Sequence, residues 1–119
     1  QTDQGAMMKP IDLRNPALSA EDGEYIFGRD HTGSHACYMI YGVLKPGEKD
    51  RLVKPGAGHE EMVLAANRYL EVTGAFSGRL AAGCAFHIQG EDFAYLNNPG
   101  SEEAVYVVAG GHSEEGHHH

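Results

Sequence analysis

The stretch that decides the fold is Gly58-His59-Glu60-Glu61-Met62-Val63-Leu64-Ala65-Ala66-Asn67-Arg68-Tyr69-Leu70-Glu71-Val72. An acidic pair opens a short β-type run from Glu61 to Leu64, and Ala65-Ala66-Asn67 turns the chain. Leu70 and Val72 then alternate with polar residues, the period of a strand with one solvated face. Asn67 is the turn residue best suited to a positive φ. The unit is strand, tight turn, strand, and the flanking sequence repeats it.

Upstream, Ala36 to Leu44 is the longest apolar run and closes at Lys45-Pro46-Gly47. Its length and its aromatic, β-favouring content read as a strand buried on both faces. Tyr25-Ile26-Phe27 is a shorter strand closed by Gly28. Downstream, Ala85 to Gln89, Phe93 to Leu96 and Ala104 to Val108 are strands separated by Gly90 and by Asn97-Asn98-Pro99-Gly100, a strong turn signal. Lys9 to Glu24 reads as an extended lead-in with one helical turn at most, starting at Ser19. Arg29 to His35 reads as a solvated loop, and Glu48 to Gly58 as a polar connection. Roughly eight short strands with frequent turns are the spacing of an all-β antiparallel sandwich or barrel.

A chain of 119 residues makes one domain. The net charge of -8 opposes a nucleic-acid backbone and an anionic membrane, so neither is expected as a partner. No apolar run is long enough to span a bilayer and no export signal is legible, which implies a cytoplasmic protein. Cys37 and Cys84 are then expected as buried thiols rather than a bridge. Gly-Ala-Met ahead of Met8 marks residues 1–7 as vector-derived, with the domain in residues 8–111. Residues 112–119 read as a flexible tail in which His112, His117, His118 and His119 are a purification tag or a native metal-binding segment.

From Cys37 to Val108 the order of turns and strands resembles the small single-domain cupins. The points of likeness are Lys45-Pro46-Gly47, the acidic pair Glu60-Glu61, and Leu80-Ala81-Ala82-Gly83 opening a strand that leads to Asn98. The resemblance implies a jelly-roll β-barrel, its two sheets facing each other over a cavity. In such proteins three histidines and a glutamate from two motifs hold a divalent metal inside the barrel. Here Glu61, or Glu60 on a shifted alignment, takes the place of the motif glutamate. The first two histidine positions carry Pro55 and Ala57, or Val53 and Pro55. In the second motif Gly83 and Asn98 match, but Gln89, Glu91 and Ala94 replace the motif's proline, glycine and histidine. The resemblance therefore implies degenerate metal motifs, with either no cofactor or a single divalent ion (Fe, Zn, Mn or Ni). It also implies a homodimer, for which the Tyr25-Ile26-Phe27 run is suited.

Three kinds of function follow. One is a small-molecule-binding barrel acting as a sensor or accessory protein. A second is a metal-dependent oxygenase, isomerase or lyase on a small polar or carbonyl substrate, its site rebuilt from His59, Glu61 and His87. His59 and Glu61 leave the same face of a strand, and two imidazoles with one carboxylate form an open site for non-haem iron. The third is a metal carrier that uses the terminal histidines. Glu61, in an apolar barrel, is also a candidate general base.

Overall fold

The structure, a computed structural model, describes residues 9–113. The segment 1–7 and His117, His118 and His119 lie outside the described residues. The chain opens with helix α1 (Arg14–Ser19) and strand β1 (Glu24–Phe27), then a single helical turn, α2 (Arg29–Thr32), and strand β2 (Cys37–Leu44). Strands β3 (Arg51–Val53), β4 (Gly56–Ala65), β5 (Leu70–Gly74) and β6 (Gly78–Leu80) follow. Strands β7 (Ala85–Gly90), β8 (Ala94–Asn97) and β9 (Ala104–His112) complete the order. They form a five-stranded sheet, β1-β2-β9-β4-β7, and a four-stranded sheet, β3-β8-β5-β6.

Every strand pair is antiparallel. The two sheets close on one core, with Leu44, Val63, Tyr106 and Val108 from the larger sheet and Leu70, Val72, Ala94 and Leu96 from the smaller. Each such aliphatic side chain contributes about 1.5–3 kcal/mol by leaving water. The all-β antiparallel barrel is the fold that the strand spacing implies.

Several local expectations change. The lead-in's helix is Arg14–Ser19, earlier than Ser19, because the Asp12 carboxylate accepts the Arg14 and Asn15 backbone N–H groups and starts it there. Among the described residues Asp50, with φ 62°, is the non-glycine residue with positive φ, not Asn67. Asn67 instead accepts the Val105 N–H at 2.8 Å, tying the β4–β5 turn to β9. The polar connection after Glu48 contains β3 and the start of β4. The loop after Gly28 holds α2, and His31 there packs edge-on against Phe27 and hydrogen-bonds the Tyr25 hydroxyl. Strand β2 is buried on both faces only at Gly42–Leu44, where Val43 and Val105 meet Ala17 of α1. Both cysteines are free thiols as expected, but exposed rather than buried.

Two tyrosines lie across two glycines in the pairing of β2 with β9. Tyr38 stands opposite Gly110 and Gly42 opposite Tyr106. A Cβ added to Gly42 would lie 2.1 Å from the Tyr106 Cζ, and one added to Gly110 would lie 2.4 Å from the Tyr38 Cζ. Neither glycine has a positive φ, so their role is to leave room for a ring. Gly42→Ala is expected to cost about 3 kcal/mol and to lower the melting temperature by roughly 10 °C or more. Pairing it with Tyr106→Val should recover part of that loss. An unchanged thermal melt for Gly42→Ala would show that the ring is not held over the glycine.

Candidate functional site

Side chains alternate between the two faces of each strand. In β4, Glu61, Val63 and Ala65 face the barrel interior and are buried, whereas Met62 faces out. Register places Glu61 beside Gly110 of β9, and Gly110 beside Tyr38 of β2. Because Gly110 has no side chain, the Tyr38 ring crosses it and its hydroxyl donates to Glu61 Oε2 at 2.5 Å.

A second row of the same composition runs from Tyr106 over Gly42 to Glu24 of β1, where the Tyr106 hydroxyl donates to the Glu24 carboxylate. Arg51 of β3 donates to the Tyr106 oxygen at 2.7 Å and to Glu48 at 2.8 Å. The interior of the larger sheet therefore carries two Tyr-Gly-Glu rows.

Glu61 is 6% exposed. Burial raises its pKa above the ordinary carboxylate value. The Tyr38 hydrogen bond and nearby His59 pull it down, and Glu24 pushes it up. Tyr38 is raised in turn, by burial and then by its bond to Glu61. At the barrel end beyond Glu61, His59 pairs with His112, the last residue of β9, and their rings stack with centroids 5.2 Å apart. The Tyr38 ring lies 6.2 Å from His59. A β-bulge between Gly56 and Glu60 bends β4 at this end.

The structure divides the expected ligand set. His59 and Glu61 do share the interior face. His87 does not join them: it pairs with Met62 on β4, its neighbour Ile88 is the buried one, and its Nε2 meets Glu60 at 2.7 Å on the outer face. His112 is not in the tail but in β9, and Ser113 beyond it donates to the Gly58 carbonyl at 2.8 Å.

Among the described residues, no three His, Cys, Asp or Glu side chains converge in an arrangement able to hold a metal ion. Ala94, at the second-motif histidine position, is fully buried in the core, and Ala57 is exposed. Among the described residues no such trio supplies the three or four protein ligands that a transition metal ordinarily takes. Asn98, which matches the second motif, has a structural role: its amide donates to the Leu44, Lys45 and Glu102 carbonyls.

The neighbourhood of Glu61 thus contains partners that the sequence reading missed, Tyr38 and Gly110. The signal for them was the four-residue spacing Tyr38 to Gly42 and Tyr106 to Gly110. Four is an even number, so each pair shares a strand face, and one antiparallel register sets both tyrosines over both glycines.

This architecture is shared with solved proteins. A cupin protein from Bacteroides fragilis superposes with a TM-score of 0.68 at 11% identity, over 89% of this chain and 85% of that one. A Cupin 2 conserved barrel domain protein from Salinispora arenicola gives 0.67 at 14% identity, over 89% and 90%. The chain has the cupin fold. A predicted oxalate decarboxylase from Thermotoga maritima is also similar, with a TM-score of 0.62 at 13% identity over 76% of this chain and 81% of that one. No protein-family model and no curated protein matches the sequence, so the likeness lies in the fold. No helix among the described residues is long and apolar enough to cross a membrane.

The raised pKa of Glu61 has a defined sign. Its folded value lies above the unfolded value, near 4.5, so its favourable contribution is complete below that pH and is lost as pH rises through the folded value. Glu61→Gln is therefore expected to gain stability relative to the parent as pH rises above 4.5. Tyr38→Phe should widen the pH-dependent loss by removing a hydrogen bond that favours the carboxylate. Thermal melts from pH 4 to pH 8 read both effects; parallel profiles for parent and Glu61→Gln would show that Glu61 has no raised pKa.

Proposed function

We propose that this cupin-fold chain is a cytoplasmic small-molecule-binding protein, a sensor or accessory protein, whose barrel ligand is recognised by Glu61 without a resident metal. One observation carries the reading: a buried carboxylate is held by a tyrosine hydroxyl beside a pair of stacked imidazoles, while the motif histidine positions are filled by residues that cannot bind metal. Buried carboxylates are costly unless hydrogen-bonded, and the Tyr38 hydroxyl donates to one oxygen of Glu61, Oε2. A ligand bearing hydroxyl, amide or amine donors would bond to the other oxygen, Oε1.

The expected test is a thermal-shift screen of small polyols, amides and amines against the parent and Glu61→Gln. At a hundred times Kd a ligand stabilises the fold by about 2.7 kcal/mol, a shift of roughly 10 °C or more for a domain of this size. Hits that stabilise parent and Glu61→Gln equally would sink this reading.

A metal-dependent enzyme is the second reading: His59, His112 and Glu61 share one face but would have to draw closer to hold an ion together. It is decided by elemental mass spectrometry on the full chain with His117, His118 and His119 replaced by alanine. Near-stoichiometric iron, zinc, manganese or nickel that disappears in His59→Ala would establish it and displace the metal-free reading. Metal present only while the terminal histidines are intact would favour the carrier.

We also propose a homodimer through β1. It pairs only with β2, at the edge of its sheet, and exposes Ile26; an unprotected apolar edge favours pairing with another chain. Light scattering at micromolar concentration should give a dimer mass, and a monomer mass would remove the proposal.

A further inference from the structure

The outer face of the five-stranded sheet is covered by α1 on one half, and on the other only at its β1 edge, where His31 of α2 packs against Phe27. Ala17 of α1 seals Val43 and Val105. On the other half, register aligns Phe27, Met39, Ala109, Met62 and His87 in a single row across all five strands. Met39 is 38% exposed and Met62 57% exposed. Ala109 and Gly111 of β9, with a methyl group and no side chain, form a floor between the longer side chains of β2 and β4. The result is a groove of about 730 Å³ whose lining also takes in the intervening residues Tyr38, Glu61 and Gly110, on the strands between its outer-face residues, with the Tyr38 and Glu61 side chains turned inward. Glu60 stands beside Gly111 at this floor and accepts from His87 at 2.7 Å.

We propose that this trench is a second ligand site, on the opposite side of the sheet from the barrel interior, for a small amphiphilic cation. Its apolar body lies over Ala109 between Met39 and Met62, and its ammonium group meets the Glu60 carboxylate. The volume is that of small-molecule sites, roughly 300–1,000 Å³, which combine an apolar lining with a few placed polar groups. Methionine suits such a surface, since its flexible thioether adapts to aromatic bodies.

Charge selects the sign of the ligand. Of the two carboxylates in the lining, Glu61 turns inward to Tyr38 and Glu60 stands on the outer face beside the floor, and the chain's net charge of -8 raises the local concentration of cations. A second copy is the poorer occupant. The trench spans two strand spacings, about 10 Å, whereas a stable interface takes about 800 Å² from each partner.

The full chain labelled with carbon-13 at its methionine methyl groups reads the site directly, because Met39 and Met62 form its walls. Titration with 2-naphthylmethylamine should move both resonances saturably, and 2-naphthoate, of equal body and opposite charge, should bind about tenfold or more weakly. Glu60→Gln should lower the amine affinity about tenfold, and Ala109→Leu, which fills the floor, should abolish it with the chain still folded. The proposal is overturned if neither resonance moves with amine, or if both probes bind equally well with Glu60→Gln silent. It is overturned equally if Met62 shifts on dilution without any probe, which would mean that a second copy covers the trench.

Discussion

The pairing of β2 with β9 depends on two rings lying over two glycines, and much of the barrel depends on that pairing. These strands stand at the centre of the larger sheet, with β1 outside one and β4 outside the other. A slip of two residues would set Tyr38 opposite Val108 or His112, and Gly42 opposite Ala104 or Val108. Each tyrosine would then meet a Cβ where its ring now lies. The glycines thus give a register that the apolar pattern alone leaves open, since apolar residues fill both strands, Met39, Ile40, Val43 and Leu44 on one and Ala104, Val105, Val107, Val108 and Ala109 on the other. The same crossing lets each hydroxyl reach a carboxylate one strand further on, linking β2 to β4 through Glu61 and β9 to β1 through Glu24. One steric device therefore fixes the register and satisfies two acids on the interior face.

The two-residue period of β4 separates the chemistry of the molecule into two environments. Glu60 and Glu61 are neighbours in sequence, yet Glu61 enters a buried interior that favours its neutral form, while Glu60 stands on the outer face against His87. No relaxation of a loop joins the two, because turning either side chain over would slip the whole strand by one residue and expose Val63 and Ala65. For this reason the trio of His59, Glu61 and His87 divides as it does.

What was legible in the sequence followed from periodicity and turn chemistry. Leu70 and Val72 alternate with polar residues and form a strand with one buried face; Pro46-Gly47 and Asn98-Pro99-Gly100 end strands as their composition requires. The elements that were not legible are those whose cause lies elsewhere in the chain. Strand β3 is three residues long and exists because β8 pairs with it. His112 reads as tail beside Gly110 and Gly111, but β4 supplies a partner that carries β9 one residue beyond them. The side of His87 depended on register, which one substitution of even for odd reverses. Tyr38 was invisible as a site residue because aromatic residues in an apolar run read first as core. Only its spacing from Gly42, matched by Tyr106 and Gly110, distinguishes it.

The interior acids bear on what kind of cupin barrel this is. Glu61 is no economical way to fill a core, because a well-packed apolar residue of similar volume commonly stabilises a site more than a buried charged group does. The cost is moderated by Tyr38 and by the neutral form that burial favours, and neither arrangement needs a metal. A divalent ion would act in the opposite direction, holding Glu61 ionised and drawing its oxygens away from the tyrosine. The Tyr38 hydroxyl thus competes for the oxygen that a metal would use, and Ala94 in the packed core leaves no imidazole on the facing sheet to compensate. The Glu61 carboxyl group can donate a hydrogen bond when neutral and accept one when charged, and the proposed organic ligand of the interior would rest on that property.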